Sequence, residues 1–421
     1  MHHVIIGAGP AGVVAAESLR KLDSQCEISI IGDEPEPPYS RMALPYYLIK
    51  KIDESGTYLR TEANHFQSNN IKLIQQRVTK ILPEQKNLQL ANKTLVQYDK
   101  LLIATGSSPI KPAIPGIGLP EIYNCWTLED ARKISKQAKP GSRVVLMGAG
   151  FIGCIILEAL FKSGADLTVV EMGDRMVPRM MNKKAGRLIQ QWCENKGIKI
   201  HTGTKITSLA KGQDKLQITL DTDKTLIADF VVCAAGVKAN TDFLKDSGIN
   251  TDQGILVNRH LQTNIPDIYA AGDVAQGLDF STGEYSVQAI QPTATDHGVL
   301  AALNMAGSKE AIHRGNINMN VLDTLGLIAC SFGLWQGVEQ GEHAEQYNPE
   351  RFRYINLQFD GEYLVGATAI GLTQHVGVLR GLIQGKIKLG EWKDRLMHDP
   401  LRIMEAYLSR TQAIGFNASV W

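Results

Sequence analysis

The stretches Val4–Gly12, VIIGAGPAG, and Val145–Gly153, VLMGAGFIG, repeat one glycine pattern within a single chain. In both, a short apolar run leads into GxGxxG and a helix-patterned segment follows, which is the context of a dinucleotide-binding loop. In the first loop, Gly7 allows the tight turn, Gly9 lets the backbone approach a pyrophosphate, and Gly12 lets the helix pack on the strand. The phosphates then lie at the helix N-terminus. Two such loops predict two dinucleotide sites, so that one cofactor can pass electrons to the other.

An acidic residue follows each loop at the distance where a carboxylate can accept hydrogen bonds from an adenosine ribose. Asp33 and Glu34 end the second apolar run of the first unit, and Glu171 ends that of the second. A carboxylate at Glu171 favours the free ribose hydroxyls of NADH and repels the extra phosphate of NADPH. Arg175, four residues further on, could weaken that preference. The sequence therefore favours NADH, with NADPH as the less favoured coenzyme.

The segments that follow the two loops also correspond. After the first come strand-like runs near residues 71, 78, 88 and 96 and the closing run LLIATG; after the second come runs near residues 200, 206, 218 and 226 and the closing run VVCAAG. Each series has the order of a doubly wound α/β unit. The small residues of 104–106 and 234–236 bring the backbone close to a cofactor. We therefore expect an α/β protein with two tandem Rossmann-like, three-layer (ββα) domains and a small α+β domain at the C-terminus.

Composition and charge are those of a soluble enzyme. The 421 residues predict two or three domains, and 44 Lys and Arg against 43 Asp and Glu leave a net charge of +1. That balance offers no charged surface for nucleic acid or membrane lipid. No apolar run approaches the ~18 residues of a membrane span, and a strand that begins at residue 2 or 3 leaves no room for a signal peptide. The six cysteines form no CxxC or other close pair, which favours a reducing, cytoplasmic setting and gives no sign of a metal site.

Four motifs together, GAGPAG, ATG, GAGFIG and the later TNIPDIYAAGDVA, resemble the pyridine nucleotide-disulfide oxidoreductase superfamily over about residues 1–310. The resemblance implies FAD at the first loop and NADH at the second, whose domain is inserted between two parts of the FAD domain. It implies an FAD-binding domain at 1–110 and 237–311, an NADH-binding domain at 111–236 and a C-terminal interface domain at 312–421. By the same resemblance Asp273 binds the ribityl chain of the flavin, since a carboxylate at a strand tip can accept a hydroxyl hydrogen bond.

A helix is expected from Pro292 towards Met305. In the family its N-terminus points at the flavin pyrimidine edge, where the helix dipole stabilises the charge of reduced flavin. His297 lies in its first turns, where relatives often have Gln, and is either a flavin contact or an ordinary structural histidine. The cofactor-binding residues that we expect are, taken together, Gly7, Gly9, Pro10, Ala11, Gly12, Asp33, Glu34, Arg41, Val78, Ala104, Thr105, Gly106, Gly148, Gly150, Phe151, Ile152, Gly153, Glu171, Gly236, Gly272, Asp273, Pro292 and Thr293.

The segment Gly32–Leu48 resembles the flavin-lining loop of NADH oxidases, coenzyme A-disulfide reductases, rubredoxin reductases and the flavin half of nitrite reductase. The first two carry a redox cysteine in a pattern like NCGLPYY, whereas this chain reads RMALPYY with Met42 in that place. A thioether forms no thiolate, sulfenic acid or mixed disulfide, so no catalytic residue is assigned and cysteine-based reduction is not expected. Cys154, directly after the second loop, is the nearest other thiol. Arg41 matches a family arginine near the FAD phosphates.

Two further positions depart from the family pattern. Ile155 and Tyr46 stand where many relatives have a Glu and a Lys that orient nicotinamide against flavin. Hydride transfer needs proximity rather than an acid or base, so this loss affects the expected rate and not the fold.

The segment from about residue 312 onwards resembles the small C-terminal domain of the nitrite-reductase and rubredoxin-reductase branch. Its sequence predicts strands with a hairpin at Asp360-Gly361, then helices, the last of which begins at Asp399-Pro400. Four aromatic residues are candidates for an acceptor-docking or dimer surface, with core packing as the alternative. They are Trp335, Trp392, Tyr407 and Trp421.

The sequence thus predicts an FAD-dependent NAD(P)H oxidoreductase that passes electrons to a redox protein like rubredoxin or ferredoxin. An alternative is an NADH oxidase or small-molecule reductase without a cysteine relay. An alternative of another class is an NADH-binding flavoprotein that acts as a sensor or assembly partner. The expected partners are NAD(P)H and an electron acceptor; neither nucleic acid nor membrane is expected, and a homodimer is left open.

Overall fold

The computed structural model of the chain describes residues 1–308 and 310–418, with side chains as far as Thr411. Two parallel sheets, each with an antiparallel meander, are followed by an antiparallel sheet that packs against helices. This arrangement confirms the predicted fold class.

The first glycine loop leaves the central strand of a parallel sheet. The unit contains β1 (His2–Ile6), α1 (Pro10–Leu22), β2 (Glu27–Gly32), α2 (Leu44–Leu48), α3 (His65–Ser68), β3 (Ile71–Gln75), β4 (Val78–Leu82), β5 (Asn87–Leu90), β6 (Leu95–Gln97), β7 (Lys100–Ile103) and β8 (Ser107–Pro109). β1 pairs in parallel with β2 and β7, and β4, β5 and β6 form the meander. Residues 4–6 of β1 are apolar and buried, as in a strand of a parallel sheet that is covered on both faces.

The second unit repeats this plan. It contains β9 (Ile122–Tyr123), α4 (Leu128–Gln137), β10 (Arg143–Met147), α5 (Phe151–Lys162), β11 (Asp166–Val170), α6 (Lys183–Glu194), β12 (Lys199–His201), β13 (Ile206–Lys211), β14 (Leu216–Leu220), β15 (Thr225–Ala228), β16 (Phe230–Cys233) and β17 (Val237–Ala239). The sheet order is β12–β11–β10–β16–β9, with β13, β14 and β15 as the meander. Gly148 N–H donates to Val170 O over 2.8 Å, as Gly7 N–H does to Ile31 O, so the two loops begin in the same way.

The chain then returns to the first sheet. This part contains β18 (Ile255–Leu256), β19 (Ile268–Ala270), β20 (Ala275–Leu278), β21 (Tyr285–Val287) and α7 (Gln291–Met305). β19 pairs in parallel with β7, and α7 packs along α1. The two helices are so close at Gly298 that a Cβ there would lie 2.6 Å from the Ala11 carbonyl oxygen. A segment that follows the second unit therefore completes the first, as the resemblance implied; the exact domain boundaries stay a prediction.

The C-terminal part forms an antiparallel sheet of order β22–β23–β26–β25–β24. Its elements are β22 (Met319–Thr324), β23 (Leu327–Gly333), β24 (Glu342–Asn348), β25 (Arg353–Asp360), β26 (Tyr363–Ile370), α8 (Val376–Gln384), α9 (Glu391–His398) and α10 (Ile403–Ala418). One face packs on α8, α9 and α10, and the other packs on the second unit, where Asn182 at the start of α6 donates a hydrogen bond to the Tyr354 hydroxyl. The sheet therefore holds the second unit in place.

The structure corrects one expectation in this part and decides between two alternatives in another. α10 begins at Ile403 rather than at Pro400, because Asp399 accepts hydrogen bonds from the backbone N–H groups of Leu401 and Arg402 and so folds residues 399–402 into a turn. The aromatic side chains pack inwards: Trp335 and Trp392 are buried, and Tyr407 packs against the core cluster that contains Trp392. The core alternative is therefore correct for these three, while Trp421 lies outside the described residues.

Candidate functional site

A cavity of about 710 Å³ opens at the carboxyl end of the first parallel sheet. Its wall includes residues that directly follow five strands of that sheet, namely Gly7, Asp33, Gln76, Ala104 and Ala271. Ligands of open parallel sheets bind at this edge, and ligand pockets have volumes of roughly 300–1,000 Å³. Position and size therefore mark the cavity as a cofactor site.

The helix of the second glycine loop reaches the same cavity. Phe151, Ile152 and Ile155 from the first turns of α5 line it, opposite Gln291 and Ala294 of α7. A ligand that lies on the second loop is therefore adjacent to one that fills the cavity.

The glycines of each loop divide into two kinds. A Cβ on Gly12 would lie 2.0 Å from the Gly7 carbonyl oxygen, and one on Gly153 would lie 2.2 Å from that of Gly148. By contrast, a Cβ on Gly9 or Gly150 would meet no atom within 4 Å. The first kind is needed for packing of helix on strand, and the second leaves open space in which a phosphate can approach the backbone.

Most of the predicted cofactor-binding residues line the cavity, and the others lie near it. The lining residues are Gly7, Gly9, Pro10, Ala11, Asp33, Glu34, Arg41, Val78, Ala104, Thr105, Gly106, Phe151, Ile152, Gly272 and Asp273, together with Met42. Gly12, Gly148, Gly150, Gly153, Glu171 and Gly236 lie in or beside the loops, outside the wall. In α7 the wall comes from Gln291 and Ala294 rather than from Pro292 and Thr293, because residues three apart share one face of a helix.

Glu34 and Arg41 form an ion pair on the cavity wall. Arg41 Nη2 lies 2.7 Å from Glu34 Oε1, and the Tyr39 hydroxyl donates to the other carboxylate oxygen. The guanidinium also donates to the Trp126 carbonyl over 2.8 Å and lies 5.3 Å from the centre of the Trp126 ring. Asp33 instead pairs with exposed Arg77. Arg41 thus has a fixed orientation at the cavity.

Asp273 is held by residues that the sequence did not single out. The Ser107 hydroxyl donates to the Asp273 carboxylate over 3.0 Å, and the Trp126 indole N–H donates to the Ser107 carbonyl over 2.9 Å. Burial raises the pKa of Asp273 above its usual value, although the Ser107 hydrogen bond partly offsets this. The only sequence signal for Ser107 was its place directly after the ATG motif. Trp126 gave none, since it lies in the segment assigned to the other domain.

Glu171 is bound to the second loop itself. One carboxylate oxygen accepts from the Ala149 backbone N–H over 2.6 Å and the other from the Gly173 N–H over 2.7 Å. The Arg175 guanidinium donates to the carbonyls of Met181 and Pro178 and pairs with Asp174. Both side chains are therefore fixed in the local fold at the end of β11.

With this geometry in place, comparison with known proteins decides the family. The pattern of the pyridine nucleotide-disulphide oxidoreductases matches residues 1–298, which is more than half of the chain. The chain belongs to this family. The resemblance predicted from the motifs is thereby confirmed, and the protein is an FAD-dependent oxidoreductase that uses NAD(P)H.

Similar proteins share most of the chain's length. Identity is 32% over 413 residues, 97% of each chain, with the NADH-dependent phenylglyoxylate dehydrogenase subunit epsilon of Aromatoleum evansii. It is 30% over 371 residues, 87% of this chain and 90% of the relative, with the NADH-rubredoxin oxidoreductase of Clostridium acetobutylicum. The covalent putidaredoxin reductase–putidaredoxin complex superposes with a TM-score of 0.90 over 97% of this chain and 99% of that one; at 22% identity this supports the fold alone.

The residues present fit the FAD that the family implies. The N-terminus of α1 and the Arg41 guanidinium supply donors for a pyrophosphate, and Gly9 and Gly106 leave the space beside them open. Glu34 and Asp273 supply acceptors for hydroxyl groups. This set of donors and acceptors matches the phosphates, ribose and ribityl chain of FAD.

The thiols near the cavity are poorly suited to redox chemistry. Met42 lines the wall and is 46% exposed, so a thioether stands where family members with a redox cysteine have a thiol. Cys125 also lines the wall, but burial raises its pKa to about 12. Cys154 is fully buried off the wall, with its pKa raised well above the usual value, and is a packing residue of α5. Thiols of this kind stay protonated near neutral pH.

The charged pair of many relatives is replaced here by apolar contacts. Ile155 lines the cavity, while Tyr46 is 52% exposed. Its neighbour Tyr47 is the one that packs in the same cluster as Ile155. No charge therefore bridges α2 and α5 at these positions.

Residues 1–308 and 310–418 show no sign of two other kinds of site, a metal centre and a membrane-spanning helix. This part of the chain contains no group of three or more His, Cys, Asp or Glu side chains placed to hold a metal ion. None of its helices is both long and apolar enough to cross a membrane.

Proposed function

We propose that this protein transfers electrons from NADH, through FAD, to a redox protein of the rubredoxin or ferredoxin kind. The observation that carries the proposal is the cavity at the first glycine loop: the first turns of α5, which follow the second loop, also line it, and its wall offers no ionised thiol. FAD bound there would take a hydride from the nicotinamide and give up its electrons singly, which suits a one-electron acceptor.

The proposed binding roles follow the cavity wall. The backbone at Gly9 and the N-terminus of α1 hold the FAD pyrophosphate, and Arg41 neutralises its charge. Glu34 accepts from the adenosine ribose, and Asp273, positioned by Ser107, accepts from the ribityl chain. The start of α7 presents its positive dipole end to the cavity and stabilises negative charge there.

The route for electrons is direct in this proposal. Met42 can form neither a disulfide nor a sulfenic acid, and the buried cysteines stay protonated. The family branches that work through a thiol relay are therefore disfavoured. Six unpaired thiols also fit the reducing cytoplasm that we propose as the setting.

The preferred coenzyme in this proposal is NADH. In this proposal the buried carboxylate of Glu171, at the end of β11, repels the extra phosphate of NADPH. Arg175 was the residue that could offset this, but its donors are taken by Met181, Pro178 and Asp174. The balance of charge at the end of β11 therefore disfavours NADPH.

A second candidate is that the electron partner is a stable subunit rather than a mobile carrier. The relative from Aromatoleum evansii, which matches along 97% of both chains, is named as subunit epsilon of an NADH-dependent dehydrogenase. Electrons would then be exchanged between NAD(H) and that partner subunit. Purification of the protein from its native cells tests this, since a stable complex elutes as a larger particle with partner chains in fixed ratio.

Anaerobic stopped-flow spectroscopy tests the main proposal. The FAD-loaded protein is mixed with NADH and, separately, with NADPH, and flavin bleaching near 450 nm (roughly the oxidised-flavin band) is followed. Oxygen or oxidised rubredoxin is then added. Fast bleaching by NADH, with fast reoxidation by the redox protein and slow reoxidation by oxygen, supports it. Fast reoxidation by oxygen would favour an NADH oxidase, and no bleaching would favour a sensor.

A further inference from the structure

His297 lies directly behind the FAD cavity rather than on its wall. Its side chain is 3% exposed, and its Nδ1 lies 3.4 Å from the backbone nitrogen of Gly272. Gly272 does line the cavity, has a φ of +74°, and precedes Asp273. The imidazole therefore contacts the turn that presents the proposed ribityl-binding carboxylate.

Two polar side chains hold the opposite edge of the ring. His297 Nε2 lies 3.3 Å from His313 Nε2 and 2.9 Å from Asn316 Nδ2, the amide nitrogen. The two imidazole rings are perpendicular, with centroids 4.8 Å apart. His313 is also buried, and Asn316 lies just before β22. The pair thus ties α7 to the segment that leads into the C-terminal sheet.

The contact with the Gly272 backbone N–H selects the tautomer of His297. A backbone N–H can only donate, so Nδ1 must accept from Gly272, and the neutral ring carries its proton on Nε2. That Nε2–H can donate to His313 Nε2, and it can donate to Asn316 when that amide is turned so that its oxygen, rather than Nδ2, faces the ring. Burial lowers the pKa of His297 to about 3 and also lowers the pKa of His313, which agrees with two neutral rings.

The Gly272 N–H depends on this contact. Within the described residues the structure gives it no other acceptor, and an unpaired buried N–H is unfavourable. Without His297 the turn would be free to move until another acceptor is found. Because Asp273 is the next residue, its carboxylate would move too.

We infer that His297 is a positioning residue for FAD: its neutral imidazole fixes the Gly272 N–H and thereby the orientation of the Asp273 carboxylate. The inference rests on the proposed FAD site and goes beyond it, since His297 itself lies outside the cavity. It gives the buried His297–His313 contact a role in cofactor binding.

Three variants test the inference by the affinity of the apoprotein for FAD and by its stability to denaturant. His297→Gln keeps an acceptor in the side chain, and His297→Leu fills similar space without one. Met305→Ala is the matched control, because it empties a buried site about two turns further along the same helix. We expect FAD binding about tenfold weaker in His297→Leu, the loss of a hydrogen bond, but close to wild type in His297→Gln. Met305→Ala should lose stability while its FAD affinity is kept.

A second measurement does not depend on variants. Nitrogen-15 NMR of labelled histidine in the wild-type holoprotein should show His297 neutral and protonated on Nε2. The opposite tautomer would overturn the inference, as would equal FAD affinity in His297→Leu and wild type, or losses in the Leu and Gln variants that merely follow stability. A wild-type protein that fails to bind FAD would overturn the proposed function, and this inference with it.

Discussion

Replacing Gly153 with alanine would place the new Cβ 2.2 Å from the Gly148 carbonyl oxygen and 3.1 Å from its carbonyl carbon. A carbon and a carbonyl oxygen approach each other to about 3.3 Å, so the loop or α5 would have to move by on the order of 1 Å. Both obstructing atoms belong to the backbone, which cannot rotate away as a side chain can. We expect Gly153→Ala to lower the free energy of unfolding by about 1–3 kcal/mol.

Replacing Gly150 with alanine should instead leave the apoprotein stable and weaken coenzyme binding. A Cβ on Gly150 meets no atom within 4 Å, and the φ of −72° is one that alanine adopts readily. The apoprotein of Gly150→Ala should therefore keep its stability or gain about 0.4–1 kcal/mol. The added methyl group occupies the space where we propose the NADH pyrophosphate to lie, so the Kd for NADH should rise about tenfold, or ~1.4 kcal/mol.

The first loop supplies the matched pair. Gly12→Ala, with its Cβ 2.0 Å from the Gly7 carbonyl oxygen, should lower the stability of the apoprotein. Gly9→Ala should weaken the binding of FAD without affecting stability. Denaturant unfolding of the four apoproteins and calorimetric titration with NADH and FAD measure these effects separately. A Gly153→Ala protein as stable as wild type, or a Gly150→Ala protein with wild-type NADH affinity, would refute the reasoning.

Three further predictions concern protonation, thiols and coenzyme choice. Burial lowers the pKa of His3 to about 4 and that of His297 to about 3. As the pH falls, both histidines therefore become protonated in the unfolded chain before they do so in the folded protein. The free energy of unfolding should then decrease by up to ~1.4 kcal/mol per pH unit for each histidine from about pH 6.5 downwards. Denaturant unfolding between pH 6.5 and 5 measures this, and a flat profile would contradict it. Because burial raises the pKa of every cysteine, the folded protein should resist alkylation by iodoacetamide at pH 7.5 and keep its NADH-dependent dye reduction. All six thiols should react after unfolding. Rapid labelling of the native form would contradict this prediction. Arg175→Ala should lower stability but leave the NADH-to-NADPH ratio of kcat/KM unchanged, since a changed ratio would mean that the guanidinium reaches the coenzyme.

Local patterns in the sequence were sufficient for most of the elements. Both glycine loops, the two meanders, α7 and the hairpin at Asp360-Gly361 lie where the sequence predicts them. β24 was missed because it is an edge strand with mostly polar side chains, of which only Ala344 is buried, so it lacks apolar alternation. The start of α10 was misplaced because Asp399 forms a turn before the helix.

By itself, the sequence determined the family, the fold class and the two dinucleotide loops, because glycine requirements and apolar periodicity depend on residues that are close along the chain. Only the tertiary structure showed that α5 reaches the cavity of the first sheet and that the Ser107 hydroxyl donates to Asp273. It also showed that the Arg175 guanidinium already donates to backbone carbonyls and that His297 contacts the Gly272 turn. These contacts depend on side-chain direction and burial, and several join residues far apart in the chain, so no local pattern encodes them.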